Sequence, residues 1–254
     1  MINIWKANLD ISPQLEEKYW VILNVEEKQR ANRFVKQEHK THFIAGRGIL
    51  RSLLANYLNL TPESIAFDYL PQGKPILDRS HETILQFNVS HSHHLALYAF
   101  SNSQQVGIDV ELIRPLPSAL SLAQRFFTPQ EADYFSSLLR DRQEKMFFHF
   151  WTAKEAYLKA TGEGIIGLQN IEMRVSEKEN HQLEIIHSEQ EVKLYTFTPA
   201  ENFIATVATL KTGKFNEDPQ SDQLLDTSNQ WKVSDRYSSV GNLNHWLVFH
   251  NWDE

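Results

Sequence analysis

Six residues carry the sharpest chemical signal in the chain: Val106-Gly107-Ile108-Asp109-Val110-Glu111. The pattern predicts a strand, in which side chains alternate faces, so Asp109 and Glu111 point one way while Ile108 and Val110 enter a core. Two acids side by side on one face repel each other, and a cation relieves the repulsion. Taken alone, the segment is more simply a solvated outer face. A second segment, Phe150-Trp151-Thr152-Ala153-Lys154-Glu155-Ala156-Tyr157-Leu158-Lys159, continues to Gly162-Glu163-Gly164. On a helix Glu155 and Lys159 share a face, which by itself is an ordinary i,i+4 ion pair. If Glu155 faces Asp109 and Glu111, three carboxylates in a chain without cysteine suit a hard, oxygen-seeking cation. Magnesium fits, because it takes a few carboxylates and fills its shell with water and phosphate oxygen.

Groups suited to phosphate lie upstream. Lys28, Arg30, Arg33, Lys36, Lys40, Arg47 and Arg51 crowd one stretch. With a helix after Phe34, Lys36, Lys40, Arg47 and Arg51 fall within an arc of about 60°. Such a stripe can meet phosphates, although it is more often a solvated face. Lys74 sits between Gly73 and Pro75 in a stiff loop. Asn88-Val89-Ser90-His91-Ser92 places a hydroxyl and an imidazole at a strand end. His91, His93 and His94 lack a third zinc ligand at a recognised spacing, and Ser90 lacks the G-x-S-x-G context of a hydrolase nucleophile.

The elements needed to position these groups are legible. A strand is expected over Ile2–Ala7, and a helix opens at Ser12-Pro13. From Glu26 to Asn59 the pattern is helical, with a break near Phe34. Strands are expected over Ile84–Val89, Leu95–Phe100 and Val106–Leu112, with Ser101–Gln105 as a polar linker. Thr128-Pro129-Gln130-Glu131 is a capping box. A long helix over Gln143–Thr161 stops at Gly162, and strands follow at Ile171–Val175, Val192–Thr198 and Phe203–Leu210. Residues 213–240 are polar and acidic and are expected to be mobile, whereas Asn244–Trp252 is apolar enough to dock. The order of long helix and then strands occurs twice, which suggests two related α+β halves.

Composition narrows the function classes. The chain has 254 residues and net charge −7, distributed as +1 over residues 1–105, −4 over 106–211 and −4 over 212–254. That balance disfavours a nucleic-acid partner. No run of about 20 apolar residues reads as a membrane span, and the amino-terminal Met-Ile-Asn-Ile-Trp-Lys lacks the form of a secretory signal, so a cytoplasmic location is expected.

Together the motifs resemble one family, the 4′-phosphopantetheinyl transferases of the larger, surfactin-synthetase-activating type. The matching segments are Gly73-Lys74-Pro75, Phe87 through Ser92, Val106 through Glu111, and Phe150-Trp151 through Lys154-Glu155-Ala156 to Lys159 and Gly164, supported by Ala45-Gly46-Arg47 with Leu50-Arg51. Each motif is weak alone, but their order over about residues 20–210 is highly specific. The resemblance implies an α+β pseudo-dimer of two similar halves, 1–105 and 106–211, with the site at their interface and 212–254 as an extension of unassigned role. It implies transfer of the phosphopantetheine arm of coenzyme A to a serine of an acyl or peptidyl carrier protein, releasing adenosine 3′,5′-bisphosphate. By the same resemblance, Asp109, Glu111 and Glu155 hold the metal, magnesium or alternatively manganese. Glu155 is also the general base, directly or through a metal-bound water. Lys159 is catalytic and contacts coenzyme A phosphate. Arg30, Arg47, Lys74, Ser90, His91 and Lys154 are its further coenzyme A contacts. Residues 113–133 occupy the position of the carrier-docking segment, where Leu116, Leu120, Leu122, Phe126 and Phe127 with Arg114 and Arg125 form either a patch or plain core. A monomer is expected. Two other classes compete: a magnesium-dependent nucleotide phosphohydrolase, which needs no docking segment, and a non-catalytic carrier or coenzyme A binding module, which needs no acid trio.

Overall fold

The computed structural model describes residues 2–176, 183–186, 191–211 and 243–249. The acidic stretch 213–240 lies outside them. The chain opens with β1 (Ile2–Asn8), α1 (Pro13–Ile22), α2 (Val25–Ala31) and α3 (Gln37–Leu58). The hairpin β2 (Phe67–Tyr69) and β3 (Pro75–Leu77) follows, then β4 (Gln86–Ser92), β5 (Leu95–Ser101) and β6 (Gln105–Leu112). Next come α4 (Ala119–Phe126), α5 (Pro129–Ser137) and α6 (Arg140–Thr161). The chain continues through β7 (Met173–Val175), β8 (Leu183–Ile185), β9 (Val192–Phe197), β10 (Phe203–Leu210) and β11 (Leu243–Phe249). This is the expected α+β class.

The helix boundaries follow local chemistry. Ser12 Oγ caps α1 by accepting from the Leu15 N–H, with Pro13 at the first helical position. Reciprocal capping boxes open α2 (Asn24 with Glu27) and α5 (Thr128 with Glu131). The break expected near Phe34 separates α2 from α3, and α6 begins at Arg140, earlier than expected, and ends on Gly162 at φ 84°. Only a residue tolerant of left-handed backbone closes a helix this way at little cost.

Two main sheets carry the site. The first has strand order β11-β1-β5-β4 and the second β6-β10-β9. Ser101–Gln105 is a tight turn rather than a loose linker: Ser101 Oγ accepts the Gln104 N–H at 3.1 Å, and the chain passes directly from one sheet to the other. Ile2, Ile4, Leu97 and Ala99 of the first sheet pack against Val106, Ile108, Val110 and Val207 of the second. This shared apolar layer holds the sheets face to face. α3 covers the other face of the first sheet, with Ile49, Leu53 and Leu54 against Trp5, Tyr98 and Phe100. α6 lies on the second sheet, with Ala156 and Ala160 against Ala208. An aromatic cluster of Phe127, Phe135, Phe147 and Phe150 joins α6 to α5 and the end of α4. The carboxy-terminal apolar segment docks as expected: β11 pairs antiparallel with β1.

Candidate active site

The acid face of β6 turns toward α6 and not toward solvent. Gly107, Asp109 and Glu111 share that face, and Gly107 sets the approach. A Cβ built there would lie 2.0 Å from the Ala156 carbonyl oxygen and 2.4 Å from the Ala160 nitrogen. The strand therefore meets the helix backbone to backbone, and Asp109 is only 5% exposed. A solvated outer face, the simpler reading of this segment alone, is excluded. Glu155 and Lys159 project from α6 into the same cluster. Lys159 Nζ lies 2.6 Å from Asp109 Oδ1 and donates to Ser90 Oγ at 3.0 Å. Ser90 Oγ in turn donates to Asp109 Oδ1 at 2.8 Å, and Ser92 Oγ donates to Glu111 Oε2 at 2.9 Å.

Charge is crowded here. Burial, reinforced by Asp109 and Glu111, pushes the Glu155 carboxyl up to about 7, with Lys159 pulling the other way. Burial and then Asp109 also raise Glu111, opposed by its Ser92 hydrogen bond and by Arg114 and Lys159. Asp109 Oδ2 and Glu155 Oε1 are buried oxygens without a hydrogen-bond partner. Such orphans are costly in a low-dielectric site, and a cation is one group that would offset them. Among the described residues no three metal-ligating side chains are already gathered into a closed cluster. Asp109, Glu111 and Glu155 are all oxygen donors, the chemistry that a hard cation such as magnesium takes when water and substrate complete its shell.

Two expected coenzyme A contacts are engaged by the protein itself. Lys154, expected to contact coenzyme A, is fully buried on another face of α6. Its ammonium lies 2.6 Å from Glu131 Oε2 and donates to the Leu168 and Ile171 carbonyls at 2.8 and 2.5 Å. Neighbours on a helix diverge by about 100°, so Lys154 and Glu155 cannot serve one cluster. Lys74, expected to aim at phosphate, donates instead to the carbonyls of Lys159 and Ala160 at 2.5 and 3.4 Å. It caps the carboxyl end of α6, and burial lowers its pKa to about 8.

The basic stripe of α3 also divides. Arg51 is completely buried, with Nε 2.7 Å from Glu27 Oε2 and Nη1 donating to the Pro62 and Ile65 carbonyls. Arg47 stays partly accessible: it donates to the Tyr69 hydroxyl at 3.3 Å, and its Nη1 is buried without a partner. Arg47, Arg30, Arg33, Phe34 and Phe43 line a cavity of about 720 Å³. His91 is exposed, alternating with the inward Ser90 and Ser92. Of the anticipated docking patch, Phe127 is buried, and Leu116, Leu120, Leu122 and Phe126 pack partly against the aromatic core. Arg114 and Arg125 remain exposed, stacked over Phe148 and Phe126.

Sequence reasoning missed two residues. Gly107 had a signal, since glycine inside a strand marks close backbone approach. Ser92 had one too, being two residues beyond Ser90 and hence on the same strand face.

A family profile described as 4′-phosphopantetheinyl transferase superfamily matches residues 105–208, and one described as 4′-phosphopantetheinyl transferase, N-terminal, matches residues 12–103. The chain is 43% identical over 208 residues to the 4′-phosphopantetheinyl transferase HetI of Nostoc sp., covering 82% of this chain and 86% of that protein. It is 28% identical to the 4′-phosphopantetheinyl transferase Sfp of Bacillus subtilis, covering 74% of this chain and 84% of that protein. A holo-(acyl-carrier-protein) synthase from Bacillus anthracis, solved in complex with CoA (3′,5′-ADP), matches at TM-score 0.37 and 24% identity, covering 42% of this chain and 96% of that one.

Proposed function

We propose, for a chain that belongs to the 4′-phosphopantetheinyl transferase family, that Asp109, Glu111, Glu155 and Lys159 form the centre at which the phosphopantetheine arm of coenzyme A passes to a carrier-protein serine. The serine oxygen forms a bond to the phosphorus bearing the pantetheine. The pyrophosphate bond breaks, and adenosine 3′,5′-bisphosphate leaves. Such a transfer needs positioning and charge neutralisation more than covalent participation by the protein.

Glu155 carries the reading. Its Oε1 is buried, unpartnered and within the acid cluster, so it is placed to accept the serine proton. Lys159 meets the negative charge of the departing bisphosphate, exchanging its bond to Asp109 for one to phosphate. Asp109, Glu111 and Glu155 would hold a divalent cation, magnesium or alternatively manganese, which when bound neutralises pyrophosphate charge. Ser90 lies within the same network. Arg47 and Arg30, with Arg33, suit an anionic end of coenzyme A: Arg47 Nε stands 3.9 Å from Glu27 Oε1, but its buried Nη1 has no hydrogen-bond partner, so the guanidinium keeps a donor for phosphate. His91 is exposed at the rim, available to phosphate oxygen.

The carrier docks over 113–133 in this reading. That segment exposes Arg114 and Arg125 along with Asp133, and Leu116, Leu120, Leu122 and Phe126 are half-buried, so it offers a partly basic, partly apolar surface to a carrier. Two related halves meeting near residue 105 are supported by the paired 22-residue helices α3 and α6, each followed by strands. No helix among the described residues is long and apolar enough to cross a membrane. A cytoplasmic monomer belongs to the same reading, on the family resemblance alone.

Mass spectrometry of an apo carrier protein incubated with coenzyme A and magnesium tests the assignment. The carrier should gain one phosphopantetheine arm. Asp109→Ala and Glu155→Gln should each reduce transfer by about 10²-fold or more while the far-ultraviolet circular dichroism spectrum is retained. Transfer at the wild-type rate by either variant, or phosphate release from nucleotides without any carrier, refutes it.

A further inference from the structure

β4 and β6 belong to different sheets, yet they run side by side with side chains replacing the backbone ladder. Asn88 Oδ1 accepts the Ile108 N–H at 2.9 Å, Ser90 Oγ the Val110 N–H at 3.3 Å and Ser92 Oγ the Leu112 N–H at 3.2 Å. Each step of two on one strand meets a step of two on the other, so the strands run parallel in constant register. A serine hydroxyl has one proton to give and two lone pairs to receive. Because each hydroxyl accepts a backbone N–H, its proton remains available to an acid. Ser90 gives its proton to Asp109 and Ser92 gives its own to Glu111.

The two acids depend unequally on these bonds. Asp109 is also gripped by Lys159, and its short side chain has little freedom. Glu111 has one more rotatable bond and is only partly buried, and among the described residues Ser92 is its one hydrogen-bond donor. Ser92 itself is buried and tied to the backbone next to Glu111, and its Oγ lies closer to Glu111 Oε2, at 2.9 Å, than to His93 Nδ1, at 3.4 Å.

We propose that Ser92 is a positioning residue, holding the Glu111 carboxylate in place beside Asp109 so that the pair can share a divalent cation. The proposal rests on the reading above that these acids bind the metal. The first sheet thereby orients a ligand carried by the second. Partners of ligating carboxylates tune metal affinity by about 10–100-fold, which a residue serving only as glue between the sheets does not.

Binding of Mn²⁺ to the full chain without substrate, followed by electron paramagnetic resonance, tests this. Ser92→Ala should weaken Mn²⁺ by about tenfold or more, and Ser92→Thr, which keeps the hydroxyl, should stay within a few-fold of wild type. Glu111→Gln should weaken it at least as much as Ser92→Ala. A Ser92→Ala protein that melts earlier but binds Mn²⁺ like wild type overturns the positioning role. A Glu111→Gln protein that binds like wild type overturns the underlying metal reading instead. Should Ser92→Ala not fold, Ser92→Cys preserves the shape with a weak donor, and the same titration decides: weakened Mn²⁺ binding upholds the role and wild-type binding removes it.

Discussion

Glu155 shows how function is set against stability at a single side chain. Its carboxyl titrates near 4.5 in an unstructured chain and about 7 in the folded one. The folded state therefore binds the proton more tightly. The stabilisation from protonated Glu155 is complete below pH 4.5 and is lost as pH rises through about 7. The span corresponds to up to about 3 kcal/mol. In the metal-free protein, urea-unfolding free energy should thus fall from about pH 4.5 to 7 more steeply than in Glu155→Gln, and the difference between the two curves isolates this group. Magnesium added at pH 8 should raise the wild-type melting temperature and leave Glu155→Gln nearly unmoved. Parallel curves for the two proteins would show that Glu155 is not held in a desolvated acid cluster. Lys159 belongs to the same balance: it offsets part of the crowding from 2.6 Å, yet it engages Asp109 Oδ1 and leaves the buried Oδ2 alone.

At the scale of elements, the site depends on how closely β6 rides on α6. The small residues Ala156 and Ala160, one helical turn apart, let the helix backbone approach Gly107. Gly107→Ala has no nearby side chain to push aside, because the clashing atoms are backbone. It should cost about 3 kcal/mol, the upper end of overpacking penalties, and should slow transfer by separating Asp109 from Lys159. A urea midpoint and a transfer rate both like wild type would mean that the strand and helix are not in this register. The same elements explain what could be read from sequence. Alternation placed Asp109 and Glu111 on one face, and helical spacing placed Glu155 with Lys159, because periodicity is a local property. The partners that Lys154 and Lys74 take in the structure are distant in sequence: Glu131 and Ile171 for one, the carboxyl end of α6 for the other. A lysine's type and loop say that it will seek oxygen, but not whether that oxygen is phosphate or a backbone carbonyl. Arg51 was lost to the basic stripe for the same reason, since the Glu27 that neutralises it lies on another helix.

For the molecule as a whole, the feature that neither motif nor family match addresses is the pairing of its ends. β1 and β11 both lie outside the matched spans 12–103 and 105–208, and they form one antiparallel pair, with Ile2 opposite Phe249 and Ile4 opposite Leu247. β11 occupies the edge of the first sheet, so it satisfies the outer N–H and C=O groups of β1. Without it, β1 becomes an open edge, which is a template for association with another chain. β1 also contributes Ile2 and Ile4 to the layer between the sheets, so loosening it weakens the contact that keeps β4 against β6. Among the described residues, the hydrogen bonds to Asp109 and Glu111 come from β4 and α6 and not from β1. A protein truncated after Lys211 should therefore retain Mn²⁺ binding and transfer at low concentration. It should unfold at a lower temperature than the full chain and self-associate as concentration rises, by analytical ultracentrifugation. A Pro introduced at Asn3, which removes a backbone donor from β1, should reproduce the loss of stability in the full chain, because proline is tolerated in a sheet only at an edge. If truncation instead abolished Mn²⁺ binding while leaving the melting temperature unchanged, β11 would act on the site directly and not through the edge it covers.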